Sequence, residues 1–243
     1  MQQLGPAGWE QGYVAVVDAI ARGTLIKADH PSRSIWGKRV MDVVLGVPLC
    51  VLAAPVIVAL AVVLALQLRA NPFFVHNRIG HGGRTLRIPK LRTLCPSTPT
   101  YADKTVTTIE SPTRFAEALR RTHLDELPQL FLVPLGQLSL VGPRPVMLQE
   151  AVEVSSPRVI ETRCQVRQGC TGLWQVSVAQ GHRVLDHPEY AFFYVVQRTV
   201  RMDVWILWRT GLQMLGASPI TLDDVPAWTL RNKDTADLDL IAA

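Results

Sequence analysis

The chain has 243 residues, 48% of them hydrophobic, and a formal net charge of +5. With a mean hydropathy of +0.18 and an isoelectric point near 9.3, it leans towards membrane contact and towards an anionic partner, either a membrane surface, a nucleotide or a nucleic acid. The arginines are scattered between apolar segments instead of gathered in one basic tract, which speaks against nucleic acid.

Residues 1–34 read as an N-terminal extension or a short helix. Glu10 and Asp18 lie in the first twenty residues, with no basic start leading into an apolar core, so no signal peptide is expected. The run from Val43 to Leu66 carries no charge over 24 residues. As a helix it measures about 36 Å, enough to span a bilayer. Pro55 at its middle removes a hydrogen bond to the Val51 carbonyl, which predicts a kink. Lys38 and Arg39 precede the run, and Arg69, Arg78, Arg84 and Arg87 follow it. Basic residues at both ends favour the cytoplasmic side for both. A helix that enters, bends at Ala54-Pro55 and returns satisfies this over residues 35–70. Its halves of about 18 and 16 Å reach part of the way through the core. An ordinary span and a buried helix of a soluble core are the alternatives.

Residues 77–94, "NRIGHGGRTLRIPKLRTL", alternate apolar and basic positions around Gly80, Gly82 and Gly83, which predicts a hairpin. Arg78, Arg84, Arg87, Lys90 and Arg92 would meet lipid headgroups or a bound anion. Residues 95–112 read as a loop rich in Pro, Ser and Thr. A helix is predicted from Thr113, with Phe115, Leu119 and Thr122 on one face and Arg120 a little more than one turn before Asp125. Thr122-x-x-Asp125 matches a capping box. On that reading Asp125 and Glu126 are structural acids in a first helical turn, and Pro128 is tolerated there.

In "SLVGPRP", residues 139–145, two prolines stiffen the segment around Arg144. The guanidinium then either serves a phosphate or is solvated on a rigid turn. "GCTGLWQV", residues 169–176, reads as a tight turn followed by a short strand. Residues 197–215 place Trp205, Trp208, Leu212 and Leu215 at helical spacing beside Arg201 and Arg209, as in an interfacial helix or a core helix. From Ala217 the chain is polar and acidic and reads as a loosely held tail. Cys50, Cys95, Cys164 and Cys170 show neither a C-x-x-C pair nor zinc spacing, and read as reduced packing residues.

"GKRVMDVVLG", Ala54-Pro55, "NRIGHGG", "KLRTL", "LRRTHLDELPQL", "LSLVGPRP" and "GCTGLWQV" follow one another in an order that resembles the bacterial sugar transferase family. These are monotopic polyprenyl-phosphate phosphoglycosyl transferases, and the resemblance runs from Ile35 to Leu215. It implies an α+β monotopic membrane protein with a Pro-bent re-entrant helix over residues 35–70. A small helical and hairpin catalytic domain with interfacial amphipathic helices follows over residues 71–216, then a tail over residues 217–243. It implies transfer of a sugar 1-phosphate from a nucleotide diphosphosugar, usually a UDP-sugar, to undecaprenyl phosphate at the cytoplasmic face of the bacterial inner membrane. Asp125 is then the nucleophile that forms a covalent phosphosugar, and Mg2+ lies at Asp125 and Glu126. Arg120 contacts phosphate, and Arg144 helps line the site; beside them, the basic residues Lys90, Arg92 and Arg78 are assigned to phosphate or substrate binding. Ala54-Pro55 stands where the family bends its helix at Ser-Pro.

Those residue types suit that chemistry. A carboxylate that attacks phosphorus divides one displacement between two bulky anions into two steps. Magnesium favours one or two carboxylates with substrate phosphates, and arginine supplies bidentate contacts to phosphate oxygens. Adjacent residues on a helix point about 100° apart, so the two acids divide the work, with attack assigned to Asp125 and metal positioning or proton handling to Glu126.

Departures from the family pattern include Leu91 and Leu94 in "KLRTL", Asn71-Pro72 before the hairpin, Leu132 and Gln137 after the acid pair, Gln168 before Gly169, and Ala191 three residues before Tyr194, where an Asp is usual. They keep a second reading open: a weakened member that binds nucleotide or polyprenyl phosphate and acts in membrane assembly or regulation. The exposed amphipathic C-terminal segment also permits a homodimer.

Overall fold

A computed structural model describes residues 32–95, 98, 112–153 and 157–231. Expectations for residues 1–31, for most of the 95–112 loop and for the tail beyond residue 231 lie outside the described residues. Helix α1, Ser32–Leu68, has 37 residues and is continuous across both Pro48 and Pro55. At 1.5 Å per residue it is about 55 Å long. By length and composition it is long and apolar enough to cross a membrane.

The two faces of α1 differ. Asp42, Gly46, Cys50, Ala53, Ile57, Ala61 and Leu64 are buried, at spacings of three and four residues that place them in one stripe. Val44, Val51, Leu52, Val58 and Leu66 are exposed. The stripe is made largely of small side chains, so the polar domain approaches the helix backbone closely. A Cβ added at Gly46 would lie 3.0 Å from Val133 Cγ1.

Strands β1, Phe73–Ile79, and β2, Thr85–Leu91, form the predicted antiparallel hairpin, with Phe73 opposite Leu91 and Ile79 opposite Thr85. Gly82 at φ 64° and Gly83 at φ 72° provide the left-handed backbone of its turn. Leu86 and Ile88 point into the central core, whereas Leu91 joins Ala53, Ile57, Ala61 and Leu64 of α1.

Helix α2, Arg114–Arg121, is capped by Thr113 Oγ1, which accepts from Ala116 N at 3.1 Å. The helix does not continue to the acid pair, and Thr122 forms no capping box. Its hydroxyl instead donates back to Ala118 O at 2.8 Å. His123 then adopts φ 57°, a left-handed corner that a histidine enters at a cost, and a nine-residue 3₁₀ segment, Leu124–Leu132, follows. Pro128 is accommodated within that segment.

Strand β3, Ser139–Val141, pairs in parallel with β4, Gly169–Thr171. Helices α3, Leu148–Glu153, and α4, Pro157–Cys164, lie in the crossover between them. The expected order of turn and strand in "GCTGLWQV" is reversed: the glycine-bearing residues form the strand, and Leu173–Val176 turns into the short helix α5. The strands pass so closely that a Cβ on Gly169 would collide with Gly142 N, and one on Gly172 with Gly142 O.

Helices α6, Pro188–Gln197, and α7, Val200–Met214, complete the main core with Tyr194, Met202 and Ile206. Trp205 belongs to that core, while Trp208 is exposed, so only part of the face read as interfacial or core faces outward. The expected loose tail is docked as far as it is described. Ile220 bridges to Ser177, and Thr229 O accepts from Thr199 Oγ1 at 2.5 Å. The four cysteines are free, as expected.

Candidate active site

Three segments far apart in the chain meet around Glu126. Strand β2 delivers Lys90 from its last turn of pleat, the 3₁₀ segment delivers Asp125 and Glu126, and the bend after β3 delivers Arg144. Glu126 Oε1 accepts from Lys90 Nζ at 2.6 Å and from Arg144 Nη2 at 3.3 Å. Arg78 joins from β1, donating to Pro145 O at 3.3 Å and lying 3.6 Å from Glu150 Oε2. The Arg144 guanidinium is 5.8 Å from the centre of the Trp174 ring. Its backbone carbonyl accepts from Arg163 Nη2 at 2.6 Å.

The two acids are in opposite electrostatic states. Burial opposes ionisation of Glu126, but Arg144 and Lys90 outweigh it and hold the carboxyl far below the ordinary glutamate range. Asp125 is buried as well. Its pKa is raised, chiefly by burial and then by the neighbouring Glu126 charge, against an opposing pull from Lys90. Burial lowers Lys90, with Glu126 opposing and Arg144 adding to the shift. Lys90 gives Glu126 one of its three donors and Arg144 one of its five, so both retain N–H groups for a further anion.

Among the residues singled out from sequence, Asp125, Glu126, Lys90, Arg144 and Arg78 therefore come together. Arg120 is half-buried in the last turn of α2, five residues ahead of Asp125. Arg92 is engaged elsewhere: Nε donates to Asn71 O at 2.9 Å, and the guanidinium lies 5.4 Å from the Phe74 ring. These bonds fasten the open end of the hairpin. Ala54 and Pro55 lie on α1, half-buried and exposed respectively.

Several contributing residues escaped sequence reading. His123 sets the corner that turns the acids inward, and its charge lowers the pKa of both. Arg163 is 3% exposed, with burial pushing its pKa down to about 10. Gln168, one of the departures, donates Nε2 to Arg163 O at 3.1 Å and so supports the residue that holds Arg144. Leu132 lies in the core and Gln137 on the surface, neither in the cluster. Ala191 borders a small cavity with Arg144, Arg163, Trp174 and Tyr194, where Trp174 Nε1 is buried without a hydrogen-bond partner. The acid in "GKRVMD", immediately before the uncharged run, was the available signal for a second polar cluster at the foot of α1. Asp42 Oδ1 accepts there from Ser139 Oγ and Leu140 N, both at 2.9 Å.

An acid pair on a 3₁₀ turn, cations from a hairpin and from a Pro-Arg-Pro bend, and an apolar helix docked beside them make an anion-handling site next to a membrane-seeking element. The family model for bacterial sugar transferases matches residues 33–217, and the chain belongs to that family. It is 32% identical over 180 residues to an Aeromonas hydrophila UDP-N-acetylgalactosamine-undecaprenyl-phosphate N-acetylgalactosaminephosphotransferase, a match covering 71% of this chain and 42% of that protein. It is 34% identical over 175 residues to the UDP-glucose:undecaprenyl-phosphate glucose-1-phosphate transferase of Caulobacter vibrioides, covering 71% and 64%. Identity to the exopolysaccharide production protein ExoY of Sinorhizobium fredii is 29% over 189 residues, covering 71% and 83%. The chain thus spans about two fifths of the longer relatives, such as the Aeromonas protein.

Proposed function

We propose that this protein transfers a sugar 1-phosphate from a nucleotide diphosphosugar, a UDP-sugar, to undecaprenyl phosphate, starting a lipid-linked glycan for exopolysaccharide, capsule or O-antigen. The observation that carries the reading is the separation of the two carboxyls. Glu126 is pinned and ionised by Lys90 and Arg144, while Asp125 is buried beside it with a raised pKa. A pinned acid orders cations, and a buried acid of raised pKa is the stronger nucleophile once ionised.

In the first step an Asp125 carboxylate oxygen attacks the sugar-bearing phosphorus. The bond from that phosphorus to the bridging oxygen breaks, and the nucleoside monophosphate leaves with the electron pair. In the second, an oxygen of undecaprenyl phosphate attacks the aspartyl phosphorus, forming the diphosphate and restoring the Asp125 carboxylate. Lys90 and Arg144, fixed on Glu126, offer their remaining donors to phosphate oxygens, and Arg78 adds positive charge behind them.

Among the described residues no group of three or more His, Cys, Asp or Glu side chains could hold a metal. Magnesium needs fewer, since it combines one or two carboxylates with substrate phosphates and water. Asp125 and Glu126 fit it on that basis, because Lys90 and His123 only partly offset the burial of Asp125 when it is ionised. When bound there with the donor phosphates, the ion would neutralise the charge that repels an anionic nucleophile.

A re-entrant, monotopic α1 with the site on the cytoplasmic face is part of the same proposal. It is supported by contacts at both ends of α1 with one domain: Arg39 Nη1 donates to Val133 O at 2.6 Å, and Thr113 Oγ1 to Gln67 Oε1 at 2.9 Å. The test is release of nucleoside monophosphate from a panel of UDP-sugars with undecaprenyl phosphate and Mg2+. Wild type releases it with at least one donor and Asp125→Asn with none; a wild type silent with every donor sinks the transferase reading.

A further inference from the structure

Strand β3 runs directly into Gly142-Pro143-Arg144, so whatever fixes β3 also fixes the origin of the Arg144 side chain. Side chains from the start of α1 hold it at two backbone groups and one hydroxyl. Lys38 Nζ donates to Val141 O at 2.8 Å and to Asp203 Oδ2 at 2.8 Å. Tyr194 OH donates in the same corner, at 3.1 Å to Val141 O and 2.7 Å to Asp203 Oδ1. One residue earlier in the strand, Asp42 Oδ1 accepts from Leu140 N and Ser139 Oγ. Lys38 has a side chain only 13% exposed and Asp203 is 1% exposed, so these bonds act with little competition from water.

We propose that Lys38 and Asp42 are positioning residues for Arg144, through which the seating of α1 sets the geometry of the anion site. The inference rests on the transferase reading for its kinetic consequence but not for the clamp itself. A strand of three residues makes few ladder bonds of its own, so its register depends on the side chains that grip it. Loss of the Lys38 amine leaves Asp203 buried without its cation and Val141 O with one donor fewer. The slack then passes along Gly142-Pro143 to Arg144, whose contact with Glu126, at 3.3 Å, is the looser of the two. A displacement of about 1 Å at such a group is enough to cost up to about a hundredfold in rate.

The test uses the full chain in lipid nanodiscs. Lys38→Met, Asp42→Ala, Asp42→Asn and Tyr194→Phe are compared with wild type for hydrogen exchange of residues 139–146 and for donor kcat and KM. Asp42→Asn retains the Oδ1 acceptor and is the conservative rescue for Asp42→Ala; Tyr194→Phe removes one donor and leaves the Lys38–Asp203 pair, and serves if Lys38→Met fails to fold. The expected result is faster exchange at 139–146 in Lys38→Met, Asp42→Ala and Tyr194→Phe, with near-wild-type exchange in Asp42→Asn. Alongside it, kcat/KM falls about tenfold or more in Lys38→Met, and the fall largely disappears when Arg144 is already Ala. Unchanged exchange, or the same fold-loss with and without Arg144, overturns the proposal. A wild type that releases no nucleoside monophosphate removes the transferase reading, and the exchange comparison still decides the clamp.

Discussion

Asp125 and Glu126 are neighbours in sequence with opposite linkage to pH. The folded-state pKa of Asp125 lies above its unfolded value, so its contribution to stability is present below the unfolded pKa and is lost as pH rises through the folded one. At neutral pH the ionised acid is therefore a cost. Asp125→Asn should abolish turnover while leaving the melting temperature unchanged or raised. For Glu126 the folded pKa is depressed, and its contribution holds above the ordinary glutamate value of about 4.3 and is lost as pH falls through the folded pKa. Glu126→Gln keeps an Oε1 acceptor but removes the charge that compensates Lys90 and Arg144, and should cost about 1–3 kcal/mol at neutral pH. Thermal melts from neutral to acid should show the gap between this variant and wild type closing as pH falls. Without Mg2+, the Asp125 carboxyl should titrate above the range of an ordinary aspartate, as read by NMR. The identity of these residues was legible from motif order. Their division of labour was argued from helical angles, yet the backbone is a 3₁₀ turn entered through a left-handed His123, and the cations that separate the acids arrive from residues 36 and 18 positions away.

Elements were legible where their pattern is local. The hairpin followed from alternation around glycines, and α1 from its uncharged run. The C-terminal helix was less decidable, because Trp205 and Trp208 share a helical face by spacing and only tertiary contacts separate them. Trp205 is 6% exposed and Trp208 is 57% exposed. Trp205→Ala should therefore lower stability by about 3 kcal/mol or more, whereas Trp208→Ala should leave the melt close to wild type and weaken flotation with liposomes. A large loss of stability from Trp208→Ala would show that this residue is packed and would remove its role at the interface. Residues 217–231 read as a tail on composition alone. Their attachment depends on Ile220 bridging to Ser177, a pairing that carries no local signature.

For the molecule as a whole, the decisive relation is between α1 and the polar domain. The charge pattern predicted a re-entrant helix, and the buried stripe adds a physical reason for both ends to stay together: small side chains and flanking polar groups fit one domain along most of the helix. In a variant whose native cysteines are replaced, cysteines at Trp36 and Arg69 should label with an impermeant reagent from the same side of sealed vesicles. Labelling from opposite sides would establish a span. The grip on β3 also orders events during synthesis. Lys38 lies 103 residues ahead of Val141 and 165 ahead of Asp203. At about 5–20 residues per second, its amine emerges roughly 8–33 s before its carboxylate partner exists. For that interval Lys38 is without the carboxylate it pairs with in the folded chain. Only when Asp203 has been made can the pair withdraw the amine from water, so the fastening of α1 to β3 is a late event in synthesis.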